Sequence, residues 1–195
     1  MITSKKEYLY YLKCDAIAQH RDYEKPRFMH DNIWKFQILM RKCEYYENCK
    51  KGFYSRIILK WLKFKYVFFG QFLGFSIPLN VFGPGLCIEH YGPIVVNSNA
   101  SIGSNCRIHE GTTIGANGLN SFTAPQIGNN VYIASGAKII GSVKVANGIV
   151  IGANAVVTKD FTEENITIAG VPAKKISNND SKVHLIKATE IFDSL

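Results

Sequence analysis

Two glutamate–histidine pairs, Glu89-His90 and His109-Glu110, are the residues best suited to chemistry, and the histidines stand nineteen positions apart. An imidazole with an ordinary pKa of about 6.5 is a natural base for taking a proton from a hydroxyl near neutrality. Two histidines can also hold a metal, but no third ligand at suitable spacing accompanies them, so the sequence assigns none. No G-x-S-x-G motif offers a serine nucleophile for either histidine to activate. His20, His30 and His184 stand in helical or terminal stretches with no partner pattern and read as surface residues.

The elements that must position these pairs are legible in residues 94–157, where an aliphatic residue returns every six positions. Ile102, Ile108 and Ile114 keep this beat, the stretch 116–126 interrupts it, and it resumes at Ile127, Ile133, Ile139, Val145, Ile151 and Val157. Four residues after the beat stands a small or β-branched residue or a cysteine: Cys106, Thr112, Val131, Ala137, Val143, Ile149 and Ala155. Gly follows the beat at 103, 115, 128 and 152. A helical period of 3.6 cannot produce a clean six, and strand alternation does not demand glycine at a fixed phase. A hexapeptide repeat does both, and it is the signature of a parallel β-helix built from three short walls per coil. The aliphatic residue is expected inward and Gly or Asn at the tight corners, often at positive φ. Counting back six from Val96 lands on His90, which puts an imidazole in an inward slot that would otherwise be aliphatic, a costly place for an unused polar group. His109, one 18-residue coil plus one further on, is expected beside it on the next coil.

Before the repeats the chain is helical in pattern. Ser4 and Glu7 form an S-x-x-E capping box for a helix over 3–20, Pro26 separates it from a second over Asp31 to Cys49, and a third runs from Tyr54 to Phe69. The third is amphipathic and basic; it reads as a packing helix against the repeats or a neighbouring subunit, or alternatively as a peripheral membrane contact through 54–69. Residues 1–75 hold 15 Lys/Arg against 7 Asp/Glu, while the rest of the chain is balanced at 8 against 8. That charge reads first as a solvated face and second as a surface for anionic lipid or a polyanion. No basic–aromatic reading motif accompanies it, which argues against nucleic acid. Five scattered cysteines without a C-x-x-C pair indicate a reducing, cytoplasmic setting. The opening MITSKKEYLYYLK lacks the apolar core of a signal peptide, and the apolar run 66–85 is too interrupted to span a bilayer. The expected organisation is a helical region at 1–75, a β-helix at 76–176 and a polar, weakly helical tail at 177–195.

The stretches LCIEHYGPIVVNSNASIGSNCRIHEGTTIG (86–115), IGNNVYIASGAKIIGSVKVANGIVIGANAVVTKDF (127–161) and AGVPAKKI (169–176) resemble the bacterial serine acetyltransferases. These are members of the left-handed β-helix acyltransferase superfamily, and the likeness is strongest to its shorter serine acetyltransferase-like branch. The resemblance implies an α+β chain, helices first and a left-handed parallel β-helix after, that uses acetyl-CoA as co-substrate and works as a homotrimer. It implies His90 as general base and Glu89 in place of an aspartate that helps hold the substrate amine. The residue that orients the histidine in that family falls near Ser76. It implies cofactor contacts at Gly115 and Asn117 in the loop 115–126, at Ala134, Ser135, Gly136 and Ala153 along the pantetheine, and at Lys174 and Lys175 near the nucleotide phosphates. His109 and Glu110 are further candidates for acceptor binding or catalysis.

Where serine enzymes carry an Arg-His pair in the loop, Thr123 and Ala124 stand here. A free amino acid's carboxylate calls for a cation, so the sequence alone favours a sugar hydroxyl of a surface polysaccharide or its precursor as acceptor. L-Serine is the alternative acceptor, and a non-catalytic solenoid scaffold is the alternative of another class. The expected location is cytoplasmic, at the inner face of the membrane if the basic helix rests there.

Overall fold

The computed structural model describes residues 1–21, 25–118 and 123–194. Three helices come first, α1 (Lys5–Ala18), α2 (Asn32–Cys49) and α3 (Phe53–Leu73). Ser4 caps α1, its Oγ accepting from Glu7 N at 3.1 Å. Glu7 reaches back one residue further than a reciprocal box requires and accepts from the N–H and hydroxyl of Thr3. α3 outruns its expected end by four residues and stops at Gly74, whose φ of +82° suits a residue without Cβ.

From Phe75 onward short strands wind into three parallel faces. Face A carries Phe75–Ser76, Ile94–Val96, Thr113–Gly115, Lys138–Ile140 and Val156–Val157. Face B carries Ser101–Ile102, Gln126–Ile127 and Lys144–Val145, and face C carries Cys87–Ile88, Arg107–Ile108, Tyr132–Ile133, Val150–Ile151 and Thr167–Ala169. The strand Lys174–Ser177 closes face C in the antiparallel sense.

The six-residue beat becomes three inward ladders. On face C, Ile88, Ile108, Ile133, Ile151 and Ile168 stack coil upon coil, each at most 1% exposed. The small residues four places later, Cys106 and Ala137 among them, are buried beside them. Register shows what the interruption does: Ile127 pairs with Val145, 18 residues on, but Ile102 pairs with Ile127, 25 residues on. Seven extra residues therefore leave the prism there and return in phase.

The tight corners fall to Asn105, Asn130 and Asn154, all near φ +56°. The glycines after the beat have a different reason. A Cβ on Gly103 would stand 2.7 Å from the backbone of Gly128, and Gly128 and Gly152 are equally crowded by the next coil, so at these three the coils approach too closely for a side chain.

Helices and coils share one core. Phe36, Met40, Leu62 and Tyr66 join the inward ladder through Phe75 and Ile77. Arg41 of α2, fully buried, bonds Asp15 of α1 (2.8 Å), Glu44 (3.0 Å) and the carbonyls of Phe82 (2.9 Å) and Gly83 (2.7 Å). Asp15 in turn accepts from Gly85 N and Leu86 N, each at 2.9 Å.

The tail is more than the polar appendage expected from its composition. A 3-10 turn at Ser181–Val183 and a short α4 (Ala188–Asp193) run back along face C to α1, where Phe192 packs edge-on against Tyr10 at 5.2 Å. Cys14, Ala18, Cys87 and Ala188 form a small apolar cluster under it.

Arg41→Leu should lower stability in urea by about 3–5 kcal/mol, because it leaves Asp15 and Glu44 buried without their cation; an unchanged midpoint would show that this joint does not hold the helices to the coils.

Candidate active site

The turn from face C to face A gathers most of the residues singled out in the sequence. Successive coils bring to this one corner Glu89 and His90, then His109 and Glu110, then Ala134, Ser135 and Gly136, then Gly152, Ala153 and Asn154, and last Ala169 and Gly170. The backbone fixes the stacking: Glu89 N donates to Ile108 O (3.1 Å), His109 N to Ile133 O (3.0 Å), Ala134 N to Ile151 O (3.0 Å) and Gly152 N to Ile168 O (2.8 Å). With coils about 4.8 Å apart, the column from His90 to Ala169 is ~19 Å long, four steps of one inter-strand spacing. Beyond the histidines its side chains are small, so a long thin molecule can lie along it.

His90 is not in an inward slot. The inward residue is Ile88, paired with Ile108 twenty residues on, so the first coil holds two residues more than the beat predicts. The extra length swings His90 out to the surface at the corner, with Tyr91 beside it. No burial penalty therefore falls on this imidazole. The neighbour expected on the next coil is there: the rings of His90 and His109 are 5.7 Å apart.

Ligand atoms of His90, His109 and Glu110 all lie within 4.8 Å of one another. Spacing along the chain offered no third metal-ligating group; the fold supplies Glu110. Its Oε2 lies 4.0 Å from His109 Nδ1. The hydroxyl of Ser135 donates to Glu110 and holds its carboxyl below the usual range. Ser76, the position matched to an orienting residue, pairs with Val95 on face A instead.

Burial pushes the His109 pKa down against the pull of Glu89, the neighbouring Arg107 adds to the fall, and Glu110 opposes it. Its Nε2 is buried with no hydrogen-bond partner among the described residues. The shift favours the neutral ring over the imidazolium. Its ring packs on Tyr132 (5.2 Å), and Tyr132 packs on His184 (5.0 Å), so His184 of the tail, read from sequence as a surface residue, ends a ladder of rings that starts at His90.

Glu89 turns to Arg107 rather than to His90. Burial alone would raise its carboxyl, but the Arg107 guanidinium at 2.8 Å, with Cys87 as a second donor, holds it below the usual range. Arg107 also donates to His184 O at 3.0 Å, tying the tail to the site. Burial pushes the Cys87 thiol up to about 12, which removes it as a thiolate nucleophile at neutral pH.

The helical region completes the site. A cavity of about 210 Å³ beside His90 is lined by Gln19, Arg21, Asp31, Asn32, Glu89 and Tyr91 among others. Asp31 sits at φ +46°, uncommon for a residue with a side chain, and its buried carboxylate meets Arg21 Nη1 at 3.2 Å and Arg27 Nε at 3.2 Å. Sequence reading missed Arg21, Asp31 and Arg107; only an acid just ahead of a helix start hinted at Asp31.

The remaining cofactor candidates divide. Lys174 pairs across the hairpin with Ala169, at the far end of the corner from His90, while Lys175 is engaged by Glu163 at 2.5 Å. Gly115 ends the face A strand Thr113–Gly115 and Asn117 lies just past it, both beside Gly141. Of the loop 115–126, residues 119–122 lie outside the described residues; Thr123 is exposed and Ala124 buried.

The fold is that of a hexapeptide-repeat β-helix, and residues 124–159 match the family model described as bacterial transferase hexapeptide (six repeats). Among curated relatives, the chain is similar to a serine acetyltransferase of Synechococcus elongatus, 31% identical over 113 residues covering 57% of this chain and 46% of the relative. A serine acetyltransferase of Staphylococcus aureus is 34% identical over 102 residues, 52% of this chain and 47% of the relative. The chain thus spans about half the length of the curated relatives it matches. Among solved structures, the serine acetyltransferase of Brucella abortus in complex with coenzyme A superposes with a TM-score of 0.69 at 27% identity, covering 90% of this chain and 70% of that one. The likeness to the serine acetyltransferase-like branch of left-handed β-helix acyltransferases therefore holds in sequence and in fold.

Because folding depresses the His109 pKa, its stability cost is absent above about pH 6.5, the unfolded value, and grows as pH falls below it. Glu110→Gln should move that pKa lower still, since the carboxylate removed favours the imidazolium; histidine ring resonances followed by NMR across pH read the shift, and an upward move would contradict the placement of Glu110.

Proposed function

We propose that this protein is an acetyl-CoA-dependent O-acetyltransferase with its base at His90. The observation that carries the reading is the single corner, where a solvent-facing imidazole opens onto a column of small residues. Acetyl-CoA would lie along Ala134, Ser135, Gly136 and Ala153 with Lys174 near its phosphates, and its thioester would sit by His90. His90 takes the proton of an acceptor hydroxyl, and the alkoxide oxygen bonds to the thioester carbonyl carbon. The C–S bond then breaks, and the proton passes from the imidazolium to the leaving thiolate, giving an O-acetyl ester and CoA with no acyl-enzyme. Backbone N–H groups near the corner would stabilise the tetrahedral oxyanion. Glu110 and His109 act as positioning residues for His90 and for the acceptor. No step is assigned to a metal.

A column on an exposed corner provides one wall of a groove, so the reading includes a homotrimer in which a second chain provides the other. For the acceptor we place L-serine first, reversing the order that the loop suggested. The relatives are serine acetyltransferases, and the cations missing from Thr123 and Ala124 are present elsewhere, as Arg107 on face C and Arg21 in the cavity. The cavity itself is lined by Arg21, Asp31 and Glu89, with Arg107 behind Glu89 as its ion-pair partner, so both signs of charge stand at a volume fit for a small zwitterion. A saccharide is the second reading, favoured by Tyr91, which lines the cavity, is 56% exposed and carries a flat apolar ring.

Free-thiol release from acetyl-CoA, compared across L-serine, monosaccharides and nucleotide sugars, tests the reading. Saturable release with L-serine is expected, with Glu89→Gln raising KM more than it lowers kcat. Release with saccharides alone would overturn the serine assignment, and no release with any of these acceptors would return the chain to the scaffold class.

A further inference from the structure

An unpartnered apolar surface lies on α3, and it points the wrong way for an ordinary surface helix. Leu62, Tyr66, Gly70 and Leu73 face the core. On the opposite side Tyr54, Ile57, Trp61, Phe64, Phe68 and Phe72 form an exposed stripe, with Trp61 57% and Phe72 74% exposed. A helix that is apolar on both sides belongs in a core or at a lipid boundary. α3 has 21 residues, yet no described helix is long and apolar enough to cross a membrane.

Its charge selects the occupant. α3 contains Arg56, Lys60, Lys63 and Lys65 and no Asp or Glu, and Lys50 and Lys51 precede it. Lys65 lies over the Trp61 ring at 3.6 Å, so its ammonium flanks the stripe. Packing this face on its equivalent in a second copy would set cations against cations with no acid on either helix to answer them. Anionic lipid supplies the missing charge, while aromatic rings enter the headgroup region and lysine stems reach back to the phosphates.

Position ties the stripe to the site. The carbonyls of Leu73 and Gly74, at the end of α3, accept from Gly92 N (3.2 Å) and Ile94 N (3.0 Å), and Gly92 is two residues past His90. We propose that α3 is a membrane-surface helix that seats the protein on bilayers containing anionic phospholipid and holds the mouth of the His90 site at the lipid–water boundary. The seating of α3 on lipid stands apart from the acetyl-transfer reading, because it is argued from the face of α3 and is tested without turnover.

The test is flotation of the full chain with vesicles of phosphatidylcholine alone or mixed with phosphatidylglycerol. Binding to the mixed vesicles is expected, weakening as salt screens the charges. Trp61→Asp/Phe68→Asp and, separately, Lys60→Glu/Lys65→Glu should each reduce the bound fraction about tenfold or more, with the urea midpoint unchanged because all four side chains are exposed. If the aromatic pair disturbs folding, the charge pair carries the test. Failure to float with anionic vesicles would overturn the proposal. So would full binding by the charge-reversed variant, or an aromatic variant that splits a larger assembly without changing flotation, since the face would then belong to another copy of the chain.

Discussion

The arrangement depends on one buried cation. Arg41 has no contact with water, and its guanidinium is shared among carboxylates of α1 and α2 and two carbonyls of the first coil. Removing a charge from water costs several kcal/mol, which is recovered only when every partner is in place. Such a joint therefore adds little net stability but tolerates few geometries. It locks the helical region onto residues 82–86, just ahead of Glu89 and His90. Gln37 reinforces it, donating to Leu86 O at 2.7 Å, and Gln19 reaches Ile88 O at 3.3 Å. The cavity beside His90, half helix and half coil, exists because this joint holds.

The β-helix does the second part of the work by arithmetic. A regular coil returns after 18 residues, so a side chain's place on the prism is fixed by counting, and a column of small residues on one corner needs only a repeated phase. Chemistry enters where the count is broken. Two added residues in the first coil move His90 from an interior slot to the outside of the corner. Seven more leave the prism in the loop that follows face A. In both cases the inward ladder resumes in phase, so the departures cost the core little.

Much of this was legible in the sequence, for a physical reason. The beat reports inward burial directly, so the three-walled solenoid and the buried small residues follow from spacing alone, while His109 comes beside His90 across a coil longer than the one counted. The three helices follow from apolar periodicity and the Ser4 cap. What spacing could not give were contacts between distant segments. The phase of His90 failed because counting back from Val96 assumed a regular coil. Arg107 carries no motif in the sequence, and its place comes only from Glu89 and the His184 carbonyl that meet it. Asp31 acquires meaning only with Arg21 and Arg27 around it, and the tail only through its packing on α1.

The directness of the corner assignment rests on His90. The decisive measurement is thiol release by the His90→Ala variant, with the acceptor that supports wild-type turnover, alongside its affinity for CoA by calorimetry. The expected result is a loss of about 10²–10⁴ in turnover with CoA affinity unchanged, since the side chain moves a proton and does not hold the cofactor. Turnover close to wild type would contradict a base at His90 and, with it, the reading of the corner as an active site.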